Sequence, residues 1–258
     1  MSERIRINKY LSEAGVCSRR EADRLLEAGS VTVDGRRAEV GETVCPGQKI
    51  MVKGKLVEKS QERILLALYK PRGVVCTTDR RWKDKTVDDI LNYHRRLFPV
   101  GRLDKESEGL LLMTNDGDLQ NQIARARYGH EKEYLVTVDQ PVTEDFLKKM
   151  SRGVYLPELD RTTRPCLVRK TGVCEFSIIL TQGMNRQIRR MCRVFRYEVK
   201  RLVRIRVMNI LLGDLKEGEY REVTGEERSD LMKMLRNPKE ISSEFGKGEI
   251  RWNSRSKE

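Results

Sequence analysis

Asp104 lies in the stretch Gly101-Arg-Leu-Asp-Lys-Glu-Ser-Glu-Gly109, a polar turn between two glycines. It feeds an apolar run, Leu110 to Thr114, that stops at Asn115-Asp116-Gly117. A short apolar run between turn signals predicts a doubly buried strand, so the carboxylate just ahead of it is held at the mouth of a sheet. A carboxylate fixed there can attack carbon as a nucleophile or take a proton as a base. Local sequence alone favours the simpler role of a turn cap. A second chemical cluster is basic: Arg186, Arg189, Arg190 and Arg193 crowd one short segment and suit phosphate. Other chemistries lack their residues. The only histidines are His94 and His130, far apart in the chain, and a Ser-His-Asp hydrolase is not expected. Cys17, Cys45, Cys76, Cys166, Cys174 and Cys192 form no Cys-x-x-Cys pair, which argues against a zinc site and a disulfide framework. No dinucleotide-binding glycine motif or Walker loop occurs, so neither a cofactor nor a metal is expected.

Two units are needed to position these residues. In the first, residues 1–57, Ile7, Leu11 and Ala14 share a helical face that stops at Gly15. Ser18 and Glu21 predict a capping box that opens a second helix, with Ala22, Leu25 and Leu26 inward and Gly29 as its end. Val31 and Val33 lead to the hairpin signal Asp34-Gly35, and Val44 and Ile50–Val52 are later strand candidates. The second helix leaves Arg19, Arg20 and Arg24 outside at its start, with Lys9 on the neighbouring helix. Basic side chains beside the free N–H groups of a helix start grip a phosphate backbone without reading its sequence.

Lys53 to Arg63 is polar and suits a linker, bounded here as 58–63. The second unit, 64–236, opens on the strand Ile64–Tyr69. The turn Lys70-Pro71-Arg72-Gly73 follows, and Val74–Thr77 is expected as a strand. Asp79–Lys85 reads as a mobile loop around Trp82, which is either a stacking platform or a loop anchor. Beyond the central strand come a helix over Leu119–Arg127, an alternating strand Leu135–Val138 and a Thr143-capped helix through Met150, stopped near Gly153. Strands follow at Leu167–Val168 and Phe176–Leu180. A glycine turn then leads into an arginine-rich helix with Ile188, Met191 and Phe195 inward, and Val199–Val207 returns as a strand. A capping box at Thr224 and Glu227 starts a last helix to about Leu235. Residues 237–258 read as a disordered basic tail.

The charge excess of the 258-residue chain, +13, creates a field suited to polyphosphates, nucleic acid ahead of an anionic membrane. No apolar run reaches membrane-spanning length and no secretory signal opens the chain. A soluble cytoplasmic protein with no membrane partner is expected.

Arg6 to Gly35 resembles the S4 RNA-binding domain nearly position for position, which implies RNA binding but names no reaction. Residues 64 to 235 resemble the catalytic domain of a group of bacterial ribosomal RNA pseudouridine synthases, whose members are type A for the small ribosomal subunit and types B, E and F for the large one. The resemblance rests on Gly-Arg-Leu-Asp-x-x-Ser-x-Gly-Leu, with Ser107 where threonine is commoner. Asn185-Arg-Gln-Ile-Arg-Arg-Met191 and His130-Glu-Lys-Glu-Tyr134 look closest to the F-type members. It implies an α+β fold, an S4 domain followed by a mostly antiparallel mixed sheet with a cleft across it, and a reaction without cofactor. That reaction breaks the N1–C1′ bond of uridine, turns the base and rejoins it through C5. The resemblance makes Asp104 the catalytic carboxylate, Arg189 the guanidinium that keeps it ionised and Tyr134 the ring against the uracil. It makes Arg102 the residue that fills the gap left by the everted base, with Arg186 and Lys132 as further substrate contacts. The implied partner is a stem-loop of 23S ribosomal RNA, in the peptidyl-transferase domain; action on the tyrosine tRNA anticodon is left open. A monomer is expected. Two rivals are a non-catalytic RNA-binding assembly factor, which would not need Asp104 and Tyr134, and an S4-linked methyltransferase. The latter needs a glycine-rich cofactor loop, which Lys70-Pro71-Arg72-Gly73 is not.

Overall fold

The structure is a computed structural model that describes residues 4–58, 62–77, 84–125 and 129–236. The loop expectation around Trp82 falls largely outside these residues, as do half of the linker 58–63, Arg127 and the tail.

In the first unit β1 (Ile5–Arg6) leads into α1 (Ile7–Glu13), and α2 (Arg19–Glu27) follows. The remaining strands are β2 (Val31–Val33), β3 (Arg36–Arg37), β4 (Thr43–Val44), β5 (Ile50–Val52) and β6 (Lys55–Leu56). Strands β3-β2-β5-β6 form one sheet, and β1 pairs with β4. The two helices cover a core of Ile7, Leu11, Ala22, Leu26, Val31, Val33 and Ile50, so the apolar spacing positioned both helices correctly. Asp34 and Gly35 both take positive φ, 50° and 84°, as a two-residue hairpin turn requires. Only half of the expected Ser18 capping box forms. Ser18 Oγ accepts from Glu21 N, while the Glu21 carboxylate pairs with Arg24 instead of reaching back. Lys53 to Val57 is not linker: a turn at Lys53-Gly54 forms the hairpin to β6, and Val57 is buried in the first core.

The second unit comprises β7 (Leu65–Lys70), α3 (Val87–Leu91), β8 (Phe98–Pro99), β9 (Glu108–Thr114), α4 (Gly117–Ala124), β10 (Lys132–Val138) and α5 (Glu144–Ser151). It continues with β11 (Tyr155–Leu156), β12 (Arg161–Thr162), β13 (Leu167–Gly172), β14 (Glu175–Leu180), α6 (Gln187–Val194) and β15 (Val199–Val207). It ends with β16 (Ile210–Leu211), β17 (Tyr220–Glu222) and α7 (Gly225–Arg236). The main sheet runs β13-β14-β10-β15-β9-β7-β17, with β16 on β15 and β8 on β9. Its pairs are antiparallel except the short parallel junction of β9 with β15, where Glu108 faces Val203 and Gly109 faces Arg204.

Period-two alternation with both faces buried explains the unbroken apolar runs Leu65–Leu68 in β7 and Leu110–Met113 in β9. Leu65, Ala67, Leu110 and Leu112 join one core with α4 and α7, whereas Leu66, Leu68, Leu111 and Met113 join another with α3. A third core packs α5 and α6 on β10 and β14 through Phe146, Met150, Phe176, Ile188 and Met191. The expected strand Val74–Thr77 is reduced to a single bridge, Val75 with Thr86. The buried Lys70 ammonium takes the carbonyls of Pro71 and Val74, at 2.7 and 2.9 Å, and folds the segment into a turn. Helix α4 begins two residues before Leu119 because Asp116 caps it, and stops at Ala124, before Arg127. Thr224 and Glu227 form both arms of their capping box. Among the described residues no helix is long and apolar enough to cross a membrane.

Candidate active site

Strand β9 is buried along its whole length, so the turn before it has one fixed end. That turn is tied down from four directions. Ser107 N donates to the Asp104 carbonyl at 3.0 Å, and Gly73 N to the Lys105 carbonyl at 2.8 Å. Leu103 N reaches Cys76 Sγ at 3.2 Å, and Arg72 pairs with Glu106 at 2.8 Å. None of these bonds uses the Asp104 carboxylate, which is left half-exposed at the edge of a cavity of about 440 Å³. That volume falls in the range of small-ligand sites, roughly 300–1,000 Å³.

Lys132 and Tyr134 line the same cavity because they are two apart on β10 and share a face. Between Glu133 and Tyr134 the register with β15 slips, so Glu133 faces Arg206 and Tyr134 faces Arg204. Such bulges re-aim side chains and are frequent beside active sites. Arg102 and Arg186 are exposed on the rim. Arg186 stands at the start of α6 with φ 51°, a conformation that costs a non-glycine residue energy and is found mainly at functional positions. The turn it closes is held by Gln187, whose buried Oε1 accepts from Met184 N at 3.0 Å. The candidates from three separate stretches, Asp104 with Arg102, Lys132 with Tyr134, and Arg186, therefore meet at one opening.

Arg189 differs from its sequence-based role. Its guanidinium donates to the Glu106 carbonyl at 2.7 Å and to the Val199 carbonyl at 3.1 Å, and no hydrogen bond or ion pair links it to the Asp104 carboxylate. The charge of Asp104 still reaches it, opposing the burial that depresses the guanidinium. Arg189 thus clamps the turn that carries Asp104 onto α6 and β15. Of its neighbours, Arg190 and Arg193 are bound by Glu158, which separates four arginines of one helix into clamp, rim and outer ion pair.

Lys132 carries the largest lysine perturbation. Its ammonium donates to the His130 carbonyl at 3.1 Å, and burial, with the Arg204 charge adding to it, pushes its pKa down to about 8. The folded state thus holds this proton less tightly than the unfolded chain does, so the group detracts from stability below pH 8. That deficit is relieved as pH rises from about 8 towards 10.5. Relative to Lys132→Met, the native protein should gain stability over this window, by at most about 1.4 kcal/mol per pH unit. Denaturant unfolding of both proteins at three pH values checks it; parallel curves would contradict it.

In the first unit Arg19 and Arg20 are exposed, and Arg24 pairs with Glu21 on the same helix. Lys9 departs from the expected free phosphate contact. It bonds Asp118 of α4 at 2.8 Å, with Glu13 at 3.5 Å, and so fastens the two units together. Arg96 adds a second tie to the Cys17 carbonyl at 2.9 Å. A larger cavity of about 770 Å³ lies at this junction, lined by Arg4, Arg6, Lys9 and Arg63; Lys9 and Arg63 are matched by Asp118 and Asp116, and Asp104 is not among its walls. The chemistry belongs to the smaller cavity.

Sequence reasoning missed Arg204 and Lys70. Both are buried cations: Arg204 lines the cavity with Asp104, and the Asp104 charge reaches Lys70; each looks in the sequence like one basic residue in a basic chain. A lysine ending an otherwise apolar strand, and an arginine three residues before the end of another strand, were the available signals. All six cysteines are free thiols, and burial pushes Cys192 up to about 12.

Residues 64–193 match the RNA pseudouridylate synthase family, and residues 5–50 match the S4 domain. The chain is 51% identical over 235 residues to the dual-specificity RNA pseudouridine synthase RluF of Escherichia coli (strain K12), covering 90% of this chain and 80% of that protein. It is 35% identical over 230 residues to ribosomal large subunit pseudouridine synthase B of Bacillus subtilis (strain 168), covering 86% of this chain and 93% of that one. A crystal structure of a pseudouridylate synthase superposes with a TM-score of 0.65 at 26% identity, over 89% of this chain and 99% of the other. With a carboxylate-edged cavity on a mixed sheet behind an S4 domain, the chain belongs to the RNA pseudouridine synthases, enzymes that isomerise uridine in RNA.

Proposed function

We propose that this enzyme acts on one uridine of a 23S ribosomal RNA stem-loop, in the peptidyl-transferase domain, using Asp104 as the group that attacks C1′ or takes the C2′ proton. The observation that carries the reading is the convergence of Asp104 and Tyr134 on one uridine-sized cavity with Arg102, Lys132 and Arg186 around it. A relative named as a ribosomal large subunit enzyme supports ribosomal RNA as substrate, and the dual-specificity name of another fits a second RNA substrate, which on this reading is the anticodon of tyrosine tRNA. Eversion of the base costs a few kcal/mol, and stacking on Tyr134 returns about 1–3 kcal/mol of it. Arg102 occupies the vacated gap, where a flat cation both stacks and pairs with phosphate. Arg189 holds the Asp104 turn in register, and Lys132 and Arg186 contact the flanking nucleotide.

The S4 domain, residues 1–57, is joined through 58–63 to a catalytic domain of 64–236 on this reading. It grips the phosphate backbone with Arg19, Arg20 and Arg24; Lys9 joins them where a phosphate displaces Asp118. On this reading the enzyme works as a cytoplasmic monomer. Mapping pseudouridine in RNA from cells lacking the protein should show one unmodified uridine in the peptidyl-transferase domain; an unchanged ribosomal RNA map would overturn the substrate assignment. Replacing Arg19, Arg20 and Arg24 together by alanine should weaken binding to a transcript of that domain. The salt dependence of log K should flatten by roughly 2, about 0.7 per phosphate contact. An unchanged slope would remove this helix from the RNA interface.

A further inference from the structure

Arg204 stands across from Tyr134 in the pairing of β15 with β10 and lines the same cavity. Only 2% of its surface is exposed. Its Nε donates to the Leu110 carbonyl at 2.7 Å, which fixes the guanidinium plane, while Nη2 is buried with no hydrogen-bond partner. Gln182 Nε2 and Ser107 Oγ, also on the cavity wall, are orphaned in the same way. Buried polar atoms are nearly always satisfied, and a charged donor left without a partner is costly. Several orphans around one cavity indicate a polar guest that completes them.

We propose that Arg204 is a catalytic residue of the isomerisation: its free Nη2–H donates to a carbonyl oxygen of the everted uracil and stabilises the charge that base carries once detached. This rests on the assignment of Asp104 given above. When N1–C1′ breaks, the bonding pair stays with the uracil and spreads over N1, O2 and O4. If Asp104 attacks, its oxygen bonds C1′ and the carboxylate loses its charge; if it acts as a base, it takes the C2′ proton and is neutralised equally. On either route one unit of negative charge passes from the carboxylate to the base. After the turn C5 bonds C1′, the bond or proton held by Asp104 is given back, the C5 proton leaves and N1 takes one up, so the product is an isomer. Arg189, tied to the Asp104 turn, faces the side that loses charge. Arg204 faces the cavity where charge accumulates, and a fixed donor there binds the detached state more strongly than intact uridine.

The test uses a leaving group of altered acidity. Full-length protein is mixed in excess with a peptidyl-transferase-domain transcript made with uridine or with 5-fluorouridine, and loss of the N-linked target is followed by nuclease digestion and mass spectrometry. Fluorine at C5 stabilises the detached base and makes cleavage less dependent on a protein cation. Arg204→Met should slow uridine cleavage by about 10²-fold or more, and 5-fluorouridine cleavage by roughly a tenth of that factor, with RNA affinity retained. Equal slowing of both substrates, or none, would overturn the proposal. Arg204→Lys keeps a buried cation but not the planar fork that bonds Leu110 with one N–H and aims another at the cavity, and should show the same selective deficit at smaller size; it decides the matter alone if the methionine variant does not fold. Asp104→Asn must stop cleavage of both transcripts. If it does not, the assignment of Asp104 fails and this proposal with it; if it does while the Arg204 variants slow both substrates alike, only the role of Arg204 fails.

Discussion

Asparagine at position 104 should abolish pseudouridine formation, by more than about 10³-fold, which corresponds to at least about 4 kcal/mol of barrier. RNA affinity and thermal stability should stay close to native. The separation is expected because the turn does not depend on the carboxylate. Its geometry is fixed by the Asp104 carbonyl with Ser107 N, by Leu103 N on Cys76 Sγ and by Arg189 on the Glu106 carbonyl. Asparagine keeps the shape and removes both the nucleophilic oxygen and the basic site, so a loss of turnover in a folded, RNA-binding variant is chemical in origin. Single-turnover conversion together with equilibrium RNA binding measures both halves. Persisting turnover would move the reactive group elsewhere.

The second large effect is structural. Gly109→Ala should destabilise the catalytic domain by about 3–5 kcal/mol, combining positive-φ strain with overpacking. Gly109 has φ 98°, and a Cβ there would collide with the Arg204 carbonyl and lie 2.8 Å from its nitrogen and 2.9 Å from Val203 Cγ1. Backbone cannot yield as the end of a flexible side chain can. This is the parallel junction where β9 meets β15, so the strand bearing the Asp104 turn and the strand bearing Arg204 would separate together. Urea unfolding of the two proteins checks it. A variant within about 1 kcal/mol of native would mean that the junction relaxes easily.

Much of this architecture was legible in the residues. The apolar run from Leu110 and the glycines around Asp104 identified a buried strand with a polar turn at its mouth, because double burial leaves an unbroken apolar signature. The helices of the first unit were readable from spacing and caps. The strand expected at Val74–Thr77 was not formed, because a lysine ammonium inside the fold bends the backbone of that segment. No local pattern reports such a contact. The same limit applied to the site. Resemblance to a family brought Asp104, Tyr134 and Arg189 together, but not the atoms that Arg189 binds, since whether a guanidinium reaches a carboxylate or the carbonyl two residues on depends on the turn's shape. Lys9 looked like an RNA contact because Asp118, its partner, is 109 positions away. Arg204 was indistinguishable from Arg201 and Arg206 on one strand until the bulge beside Tyr134 turned it toward the cavity. Arg206 is instead satisfied by Glu131 and Glu133, and Arg201 by Glu108.

The most direct measurement takes ribosomal RNA from cells lacking this protein, adds the purified full-length chain, and maps pseudouridine at nucleotide resolution. Conversion of one uridine in the peptidyl-transferase domain, restored by the native protein and absent with Asp104→Asn, is the expected result. Conversion by the asparagine protein, or none by the native one, would contradict the central claim that the carboxylate at this cavity performs the isomerisation.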